Sequence, residues 1–251
     1  MELARSTVLI TGANRGIGLA FSQELAHRGA RVLAAVRDPA RMPPIDGDVM
    51  AIACDIGSRE SIEAAAANTG AVDVLVNNAG VLQAGQLETE DVDHLHEVLQ
   101  VNLVGAIHLT RLLLPGMLAR DHGLVVNNAS ISGYAFFPGS SVYAASKAGL
   151  VGFSEALRRE LRGTGVSAMH LVTPSVDTRM MDAVVDGYEG NQDLSSMRRI
   201  TPAQWAEKTA DAIESGKAVL NPGGGERLAK LASRGPGLLL DLASRAFDRT
   251  P

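Results

Sequence analysis

Short apolar runs alternate with longer helical patterns along most of the chain, and this alternation restricts the fold more than any other feature. Seven apolar runs are predicted to be strands: residues 8–10, 32–36, 49–53, 72–76, 124–127, 167–171 and 218–220. Between them, apolar residues recur at helical spacing over residues 17–28, 58–68, 92–120, 143–163 and 202–215. This repeated order predicts an α/β fold: a doubly wound parallel sheet of about seven strands with helices on both faces, the Rossmann arrangement.

The predicted strands show no clean alternation of apolar and polar residues, as expected of parallel strands that are buried on both faces. With 251 residues, 46% of them hydrophobic, the chain can form one sizeable core, so we expect a single domain spanning residues 1–251. Residues 38–47, which contain three prolines, and residues 176–199 are predicted loops. The second loop is long and is expected to lie over a ligand.

Composition excludes several classes of function. The net charge of -5 and the lack of a long basic run argue against a nucleic-acid partner. Cys54 is the single cysteine, and the six histidines do not cluster with acids at metal-ligand spacing, so we predict neither a disulfide framework nor a metal site. The N-terminus lacks the pattern of a signal peptide, which favours a cytoplasmic protein. The apolar stretch 237–247 is too short to span a bilayer and is interpreted as a packed amphipathic helix, with contact to a membrane surface as the alternative.

A glycine-rich turn, TGANRGIG at residues 11–18, follows the first predicted strand and leads into the first predicted helix. Glycines allow a tight turn and close backbone approach, while the amides at a helix N-terminus attract a pyrophosphate. A tight connection without a ligand is the alternative, but the strand before and the helix after favour a dinucleotide site. The turn residues expected to contact it are Gly12, Asn14, Arg15, Gly16, Ile17 and Gly18.

The end of the second predicted strand indicates which dinucleotide is bound. A site for NAD would place an acid there against the adenosine ribose, but this strand ends in Val36-Arg37. Arg37, with Arg15 from the turn, could make charge-assisted contacts to a 2'-phosphate, so we predict NADP(H). Asp38 is the opposing signal, because an acid about 20 residues after the glycine turn is typical of NAD sites. We interpret Asp38 as the start of the loop; Arg37 as an ordinary solvated charge remains the alternative.

Tyr143 and Lys147 are four residues apart and therefore share one face of the predicted helix 143–163. A phenol beside an ammonium is a candidate proton donor, because the cation lowers the pKa of the phenol. Alone, this pair is weak evidence, because Tyr and Lys four residues apart are far more often part of an ordinary solvated helix face.

These pieces, in this order and spacing, resemble the short-chain dehydrogenases/reductases, and the resemblance covers nearly the whole chain. It rests on the glycine turn and on the following residues: Asp55, the run Asn77-Asn78-Ala79-Gly80, Asn102, Ser130 thirteen residues before Tyr143, and Lys147. The resemblance implies that residues 1–100 mainly bind the cofactor, that residues 101–200 carry the catalytic groups and a substrate loop, and that residues 201–251 complete the domain.

The resemblance also implies roles for individual residues near the cofactor. Asp55 is expected to bind the adenine amino group with Ile56 along the ring, although Asp55 as the N-cap of helix 58–68 is the alternative. Asn77 is expected to steady the central sheet. The cofactor would be lined by Asn78, Ala79 and Gly80, and near its nicotinamide by Pro174, Val176 and Thr178. This chain has Pro174-Ser175 where the family usually has Pro-Gly. The match to the family is therefore weaker at Thr178 than at the other positions.

In the mechanism that the resemblance implies, Tyr143 donates the proton to a carbonyl oxygen that receives hydride at its carbon. Ser130 would hydrogen-bond the same oxygen. Lys147 would lower the pKa of Tyr143 and hold the nicotinamide ribose. Asn102, which interrupts the pattern 92–120, resembles the residue whose carbonyl holds a water leading to Lys147. Ser132 is a close competitor of Ser130.

The substrate side is predicted to be mostly apolar, which favours a lipophilic ketone or secondary alcohol. Its candidate residues are Val81, Leu82, Tyr134, Phe136, Phe137, Met180 and Met181. Arg179 and Arg198 lie near, so an anionic substrate stays open, and Phe136 and Phe137 could instead pack in the core.

Helices 92–120 and 143–163 match those through which family members associate, so the resemblance implies a homodimer or homotetramer. Three alternatives remain: an NAD-preferring dehydrogenase of the same family, a non-catalytic NADP(H)-binding sensor or scaffold, and a nucleotide-sugar epimerase or dehydratase. The intact Ser130, Tyr143 and Lys147 argue against a sensor. The short stretch after Met181 argues against an epimerase or dehydratase, because those enzymes are longer chains with a larger C-terminal substrate region.

Overall fold

The computed structural model describes residues 1–180 and 199–223. Its centre is one seven-stranded parallel sheet in the order β3-β2-β1-β4-β5-β6-β7. The strands are β1 (Thr7–Thr11), β2 (Arg31–Val36), β3 (Val49–Ala53), β4 (Val74–Asn77), β5 (Gly123–Asn128), β6 (Val166–Leu171) and β7 (Val219–Leu220). The strand order reverses between β1 and β4, and ligands of such sheets bind at the carboxyl ends of the strands at this point.

Helices connect the strands and cover the sheet. They are α1 (Gly16–His27), α2 (Arg59–Asn68), α3 (Val92–Leu99), α4 (Gly105–Ala119), α5 (Ser141–Glu160) and α6 (Pro202–Glu214). The segment Gln100–Val104 between α3 and α4 is a π-helix.

Successive side chains of the strands enter two separate cores, one on each face of the sheet. On one face, Val8 and Ile10 of β1 pack with Phe21 of α1 and Trp205 of α6. On the other, Leu9 packs in a cluster that draws on α2, α4 and α5. This explains why the strands have no apolar-polar alternation, because both faces are dry. The predicted doubly wound α/β fold is confirmed.

The structure moves several predicted element ends and changes one helix. The fourth strand begins at Val74 rather than at residue 72, and α5 begins two residues before Tyr143. The predicted helix 92–120 consists of α3, the π-helix and α4, so the regular α-helix is interrupted around Asn102, as the sequence pattern indicated. The predicted loop 38–47 contains a short 3-10 turn, Pro39–Arg41. The stretch 237–247 lies outside the described residues.

In the part of the chain that the structure describes, one helical stretch, Val92–Ala119, is long and apolar enough to cross a membrane by length and composition. A core helix of a soluble protein meets the same criterion, so the stretch is weak evidence for a membrane span. Here it packs on α2 and α5 and carries Asn102.

Candidate active site

The glycine turn lies at the carboxyl end of β1, and its backbone is close-packed at Gly12 and Gly18. Gly12 and Gly16 have positive φ angles of 66° and 55°. A Cβ atom on Gly18 would lie 2.1 Å from the carbonyl oxygen of Gly12 and 2.5 Å from Nδ2 of Asn78. The turn is therefore held close to the segment that follows β4. The other turn residues proposed from the sequence, Asn14, Arg15 and Ile17, are at least partly exposed.

The N-terminus of α1 differs from those of three other described helices. The N-caps of α2, α3 and α6 are Ser58, Asp91 and Thr201, whose side chains accept hydrogen bonds from backbone amides of the first turn, whereas the N-cap of α5, Ser140, makes no such bond. The N-cap of α1 is Arg15, which makes no such bond. The amides at this end are thus left for another acceptor, as a pyrophosphate site requires.

The loop after β6 returns to the glycine turn. Val176 is buried and forms an isolated parallel bridge with Ile200. Thr178 follows, and its Cγ2 would lie 3.6 Å from a Cβ atom on Gly16. Pro174, at the start of this loop, is half-buried. The structure therefore brings Thr178 to the turn despite the Pro174-Ser175 departure.

Hydrogen bonds between polar side chains join four neighbouring strand ends. Thr11 Oγ1 accepts from the amides of Asn78 and Ala79, both at 2.9 Å. The Asn78 side chain donates to the Thr11 carbonyl and accepts from Asn128 Nδ2, both at 2.9 Å. The hydroxyl of Thr173 donates to Asn128 Oδ1. Asn78 therefore connects the glycine turn with the end of β5.

Lys147 enters this network from α5. Its Nζ donates to the Asn128 carbonyl at 2.9 Å, and the residue is 4% exposed. The same Nζ lies 5.7 Å from the ring centroid of Tyr143 and would be 3.7 Å from a Cβ atom on Gly80. Tyr143, Lys147 and the Ala79-Gly80 backbone thus meet in one place.

Ser130 is the serine whose side chain interacts with the Tyr143 phenol and acts to lower its pKa. Ser130 Oγ also accepts from the backbone amide of Ser132 at 3.1 Å, so Ser132 supports Ser130 rather than replacing it. Ser130 caps the 3-10 turn Ile131–Gly133.

The electrostatics of the pair differ from the sequence-based expectation. Burial raises the pKa of Tyr143, and the Ser130 hydrogen bond opposes this shift. Burial lowers the pKa of Lys147 to about 8. The expectation that Lys147 lowers the pKa of Tyr143 is therefore wrong for the chain on its own, because desolvation is the largest cause of the shift and Lys147 is not among its causes.

Asn102 lies in the π-helix, a type of segment that is frequent at functional sites. Its side chain accepts from the Val81 amide at 2.8 Å and donates to the Val81 carbonyl at 2.9 Å. It also donates to Ser146 Oγ at 3.0 Å, and Ser146 donates to the Tyr143 carbonyl at 2.7 Å. Asn102 therefore links the segment after Gly80 with the helix that carries Tyr143.

We call the carboxyl edge of the sheet from β5 to β2, where these groups lie, the crevice. At its β2 end the crevice carries charges of both signs. Asp38 accepts from the amide of Ala40 at 3.1 Å and pairs with Arg41 at 3.2 Å. Arg37 and Arg15 are exposed, and neither forms an ion pair with a carboxylate among residues 1–180 and 199–223. Asp38 is thus engaged by its own loop, whereas the two arginines are accessible.

Asp55 and Ile56 follow β3. Asp55 accepts from the Gly57 amide at 2.9 Å, while Ser58 is the N-cap of α2, so the alternative of Asp55 as that N-cap is wrong. Ile56 is buried, with its side chain against the position where Gly105 would carry a Cβ atom. It leaves little surface for an adenine ring.

The residues expected to line the substrate side differ in how far they are exposed. Phe136 is 61% exposed, and Phe137 and Met180 are also exposed, so the alternative that Phe136 and Phe137 pack in the core is wrong. Tyr134 instead packs against Ile131, Ala135 and Val172. Val81 and Leu82 are half-buried and Arg179 is exposed, while Met181 and Arg198 lie outside the described residues.

Sequence reasoning missed the residues that hold the catalytic side chains. Asn128, Thr173, Thr11 and Ser146 make the contacts described above but were not singled out. The signal for Asn128 was its place in Asn127-Asn128, two amides that end an otherwise apolar strand. Within the described residues, no group of three or more His, Cys, Asp or Glu side chains could hold a metal.

Comparison with known proteins agrees with this geometry. The family profile described as short chain dehydrogenase matches residues 6–189. The ketoacyl reductase HetN of Nostoc sp. is 36% identical over 197 residues, which is 71% of this chain and 68% of HetN. The 3-oxoacyl-[acyl-carrier-protein] reductase FabG of Vibrio cholerae is 33% identical over 194 residues, 74% of this chain and 80% of FabG.

Solved structures with the same fold contain either nicotinamide dinucleotide. A mutant of the actinorhodin polyketide ketoreductase with NADPH is 30% identical, with a TM-score of 0.80 over 90% of this chain and 98% of that chain. A protein from Burkholderia phymatum in complex with NAD is 25% identical, with a TM-score of 0.80 over 100% of this chain and 99% of that one.

Proposed function

Because the chain belongs to the short-chain dehydrogenase family, whose members are oxidoreductases, we propose that it is an NADP(H)-dependent enzyme that interconverts a lipophilic ketone and its secondary alcohol. The observation that carries the proposal is the grouping of Tyr143 with two buried residues: Ser130, whose side chain interacts with the phenol, and Lys147, whose Nζ lies 5.7 Å from the centroid of the ring. A binding protein would not need a proton donor in this position.

The crevice fits the dinucleotide. The glycine turn is close-packed on the segment after β4 and has positive φ angles at Gly12 and Gly16, and α1 has no side-chain cap. The pyrophosphate would be held by the turn residues, the adenine by Asp55, and the nicotinamide half by Asn78, Ala79, Gly80, Pro174, Val176 and Thr178. When bound, NADPH supplies the hydride.

The chain's own residues would deliver the proton and hold the charge. Tyr143 donates its proton to the carbonyl oxygen, and Ser130 donates a hydrogen bond to the same oxygen as its negative charge grows. Lys147 binds the ribose hydroxyls. The ribose hydroxyls would supply part of the solvation that the buried Lys147 ammonium lacks. Together with the Ser130 interaction, the ammonium can then stabilise the phenolate that remains on Tyr143. Asn102 positions the Val81 backbone and, through Ser146, the first turn of α5.

The preference for NADP(H) rests on Arg37 and Arg15. Both are exposed without a carboxylate partner in the described chain, while Asp38 is paired with Arg41 and its own loop. A 2'-phosphate near β2 would therefore meet two available guanidinium groups. An NAD-preferring enzyme is the second candidate, since the structure from Burkholderia phymatum contains NAD.

We propose further that the substrate carries its carbonyl on an apolar chain. Exposed Phe136, Phe137 and Met180 offer apolar contact area. The relatives named as ketoacyl reductases and as a polyketide ketoreductase make β-ketoacyl thioesters the first compounds to test.

The exposed apolar residues Val92, Leu99, Val104 and Leu118 of the segment 92–119 favour association of the chain into a homodimer or homotetramer. Sedimentation velocity checks this, and a species of 26.3 kDa alone would contradict it.

The test of function follows nucleotide absorbance at 340 nm with a panel of β-ketoacyl thioesters, aromatic ketones and aldehydes. We expect turnover with NADPH at least about tenfold faster than with NADH at equal concentration. Faster turnover with NADH would contradict the cofactor assignment. No turnover of any compound, with tight NADPH binding, would favour the sensor.

A further inference from the structure

Tyr134 is four residues after Ser130 and ends the short turn that begins there. Its amide donates to the Ile131 carbonyl at 2.9 Å, and the Gly133 amide donates to the Ser130 carbonyl at 3.0 Å. We call residues 130–134 the serine turn. A displacement of the Tyr134 side chain would therefore move Ser130 as well, because only a single turn of backbone separates them.

The Tyr134 hydroxyl is held from inside the fold. It lies 2.7 Å from Nε2 of His170, and the two rings stack with centroids 6.2 Å apart. His170 is on β6 and is 1% exposed. A buried imidazole in this contact is a rigid anchor, because it has little room to change its orientation.

The far side of His170 faces helix α5. Its Nδ1 lies 3.7 Å from Oε1 of Glu155, and Glu155 is bound by Arg158 and Arg159, both at 3.1 Å. These contacts lower the pKa of Glu155, with Arg158 as the largest cause, so the group is a carboxylate at neutral pH. A carboxylate at Nδ1 favours the proton there, which leaves Nε2 to accept from Tyr134.

Helix α5 carries both the catalytic pair and the glutamate that lies beside His170. Tyr143 and Lys147 lie in its first two turns, and Glu155 follows eight residues after Lys147. The serine turn also packs directly on the helix, because a Cβ atom on Gly133 would lie 2.9 Å from the Lys147 carbonyl oxygen. The serine turn thus contacts α5 directly, and through Tyr134 and His170 it also comes close to Glu155 on the same helix.

We infer that Tyr134, anchored through His170 to Glu155, is a positioning residue that holds the serine turn against α5 and thereby sets the placement of Ser130 relative to Tyr143. The inference rests on the proposed function, in which Ser130 and Tyr143 bind the same oxygen. Loss of the anchor would leave both side chains present and Ser130 misplaced, which lowers the rate of the chemical step more than the affinity for the cofactor.

The central test is Tyr134→Phe, which keeps the ring and removes the hydroxyl. We expect kcat to fall about tenfold while the KM for NADPH changes by less than about twofold. Hydrogen exchange of residues 131–139, measured by mass spectrometry without substrate, should become faster, while exchange in α1 stays unchanged. His170→Leu should give the same loss, and the double variant should lose no more than either single variant.

His170→Gln supplies the conservative rescue, because its side-chain oxygen can accept from Tyr134, so its kcat should lie between those of His170→Leu and the native enzyme. The matched control is Ser154→Ala, which removes a buried hydroxyl of α5 that is bonded to Asn127 at 2.8 Å, away from the serine turn. It should lower Tm without lowering kcat more than about twofold.

An unchanged kcat in Tyr134→Phe would overturn the inference, as would an equal loss of kcat in Ser154→Ala. The proposed function fails separately, through an active Tyr143→Phe enzyme. An inactive Tyr143→Phe beside a fully active Tyr134→Phe would reject the positioning role alone.

Discussion

Lys147 and Arg37 are both cations near the carboxyl edge of the same sheet, and the structure holds them in opposite ways. Lys147 is buried, bonded to the Asn128 carbonyl, and has a lowered pKa. Arg37 is exposed and has no carboxylate partner in the described chain. A buried cation costs folding free energy and requires a prepared site, whereas an exposed arginine costs almost nothing. We therefore expect the chemical step to depend on the buried Lys147, and the choice between NADP(H) and NAD(H) to depend on the exposed Arg37.

The largest expected effect on cofactor binding comes from a substitution in the glycine turn. Gly18→Ala places a methyl group 2.1 Å from the Gly12 carbonyl oxygen, so the turn has to shift. We expect NADPH affinity to fall at least about a hundredfold, as measured by fluorescence titration, together with a lower Tm. The control is Gly152→Ala in α5, where nothing lies within 4 Å. It should leave affinity unchanged and stabilise the helix by about 0.5–1 kcal/mol. Equal affinities in the two variants would contradict this account of the turn.

Lys147→Met tests the cost of the buried cation. The folded pKa of about 8 lies below the ordinary value of 10.5, so the unfolded chain binds more protons between these values. The native protein should therefore gain stability relative to Lys147→Met as pH rises from 8 to 10.5, by roughly 2–3 kcal/mol. Below pH 8 the difference should be constant. Urea unfolding of both proteins at pH 7.5 and pH 10 measures this, and a difference that is independent of pH would reject the buried charge.

Arg37→Ala should have a smaller effect that is confined to one cofactor. Loss of a charge-assisted contact raises the KM for NADPH about tenfold or more and leaves the KM for NADH unchanged. Arg31→Ala is the control, because Arg31 is also an exposed arginine but lies at the opposite end of β2. Its two KM values should match those of the native enzyme. A parallel loss with both cofactors would mean that Arg37 does not read the 2'-phosphate.

The sequence predicted the features that are local or periodic. Strand and helix order, the glycine turn and the Tyr143-Lys147 face each depend on residues near one another in the chain. Contacts between distant strand ends could not be predicted, since Asn128 reaches Asn78 and Thr173 over 50 and 45 residues. Asn102 interrupts the apolar pattern where the π-helix lies, but the pattern does not indicate which kind of helix forms there. The raised pKa of Tyr143 depends on burial, which packing alone determines.

The most direct measurement of the central claim, that Tyr143 delivers the proton in a buried site, is the turnover of Tyr143→Phe with NADPH and the best ketone of the panel. The variant removes one hydroxyl and keeps the ring beside Lys147. We predict a kcat lowered about 10²- to 10⁴-fold, with NADPH affinity within about threefold of native and an unchanged Tm. A variant that binds NADPH normally and retains more than a few per cent of native turnover would contradict the account.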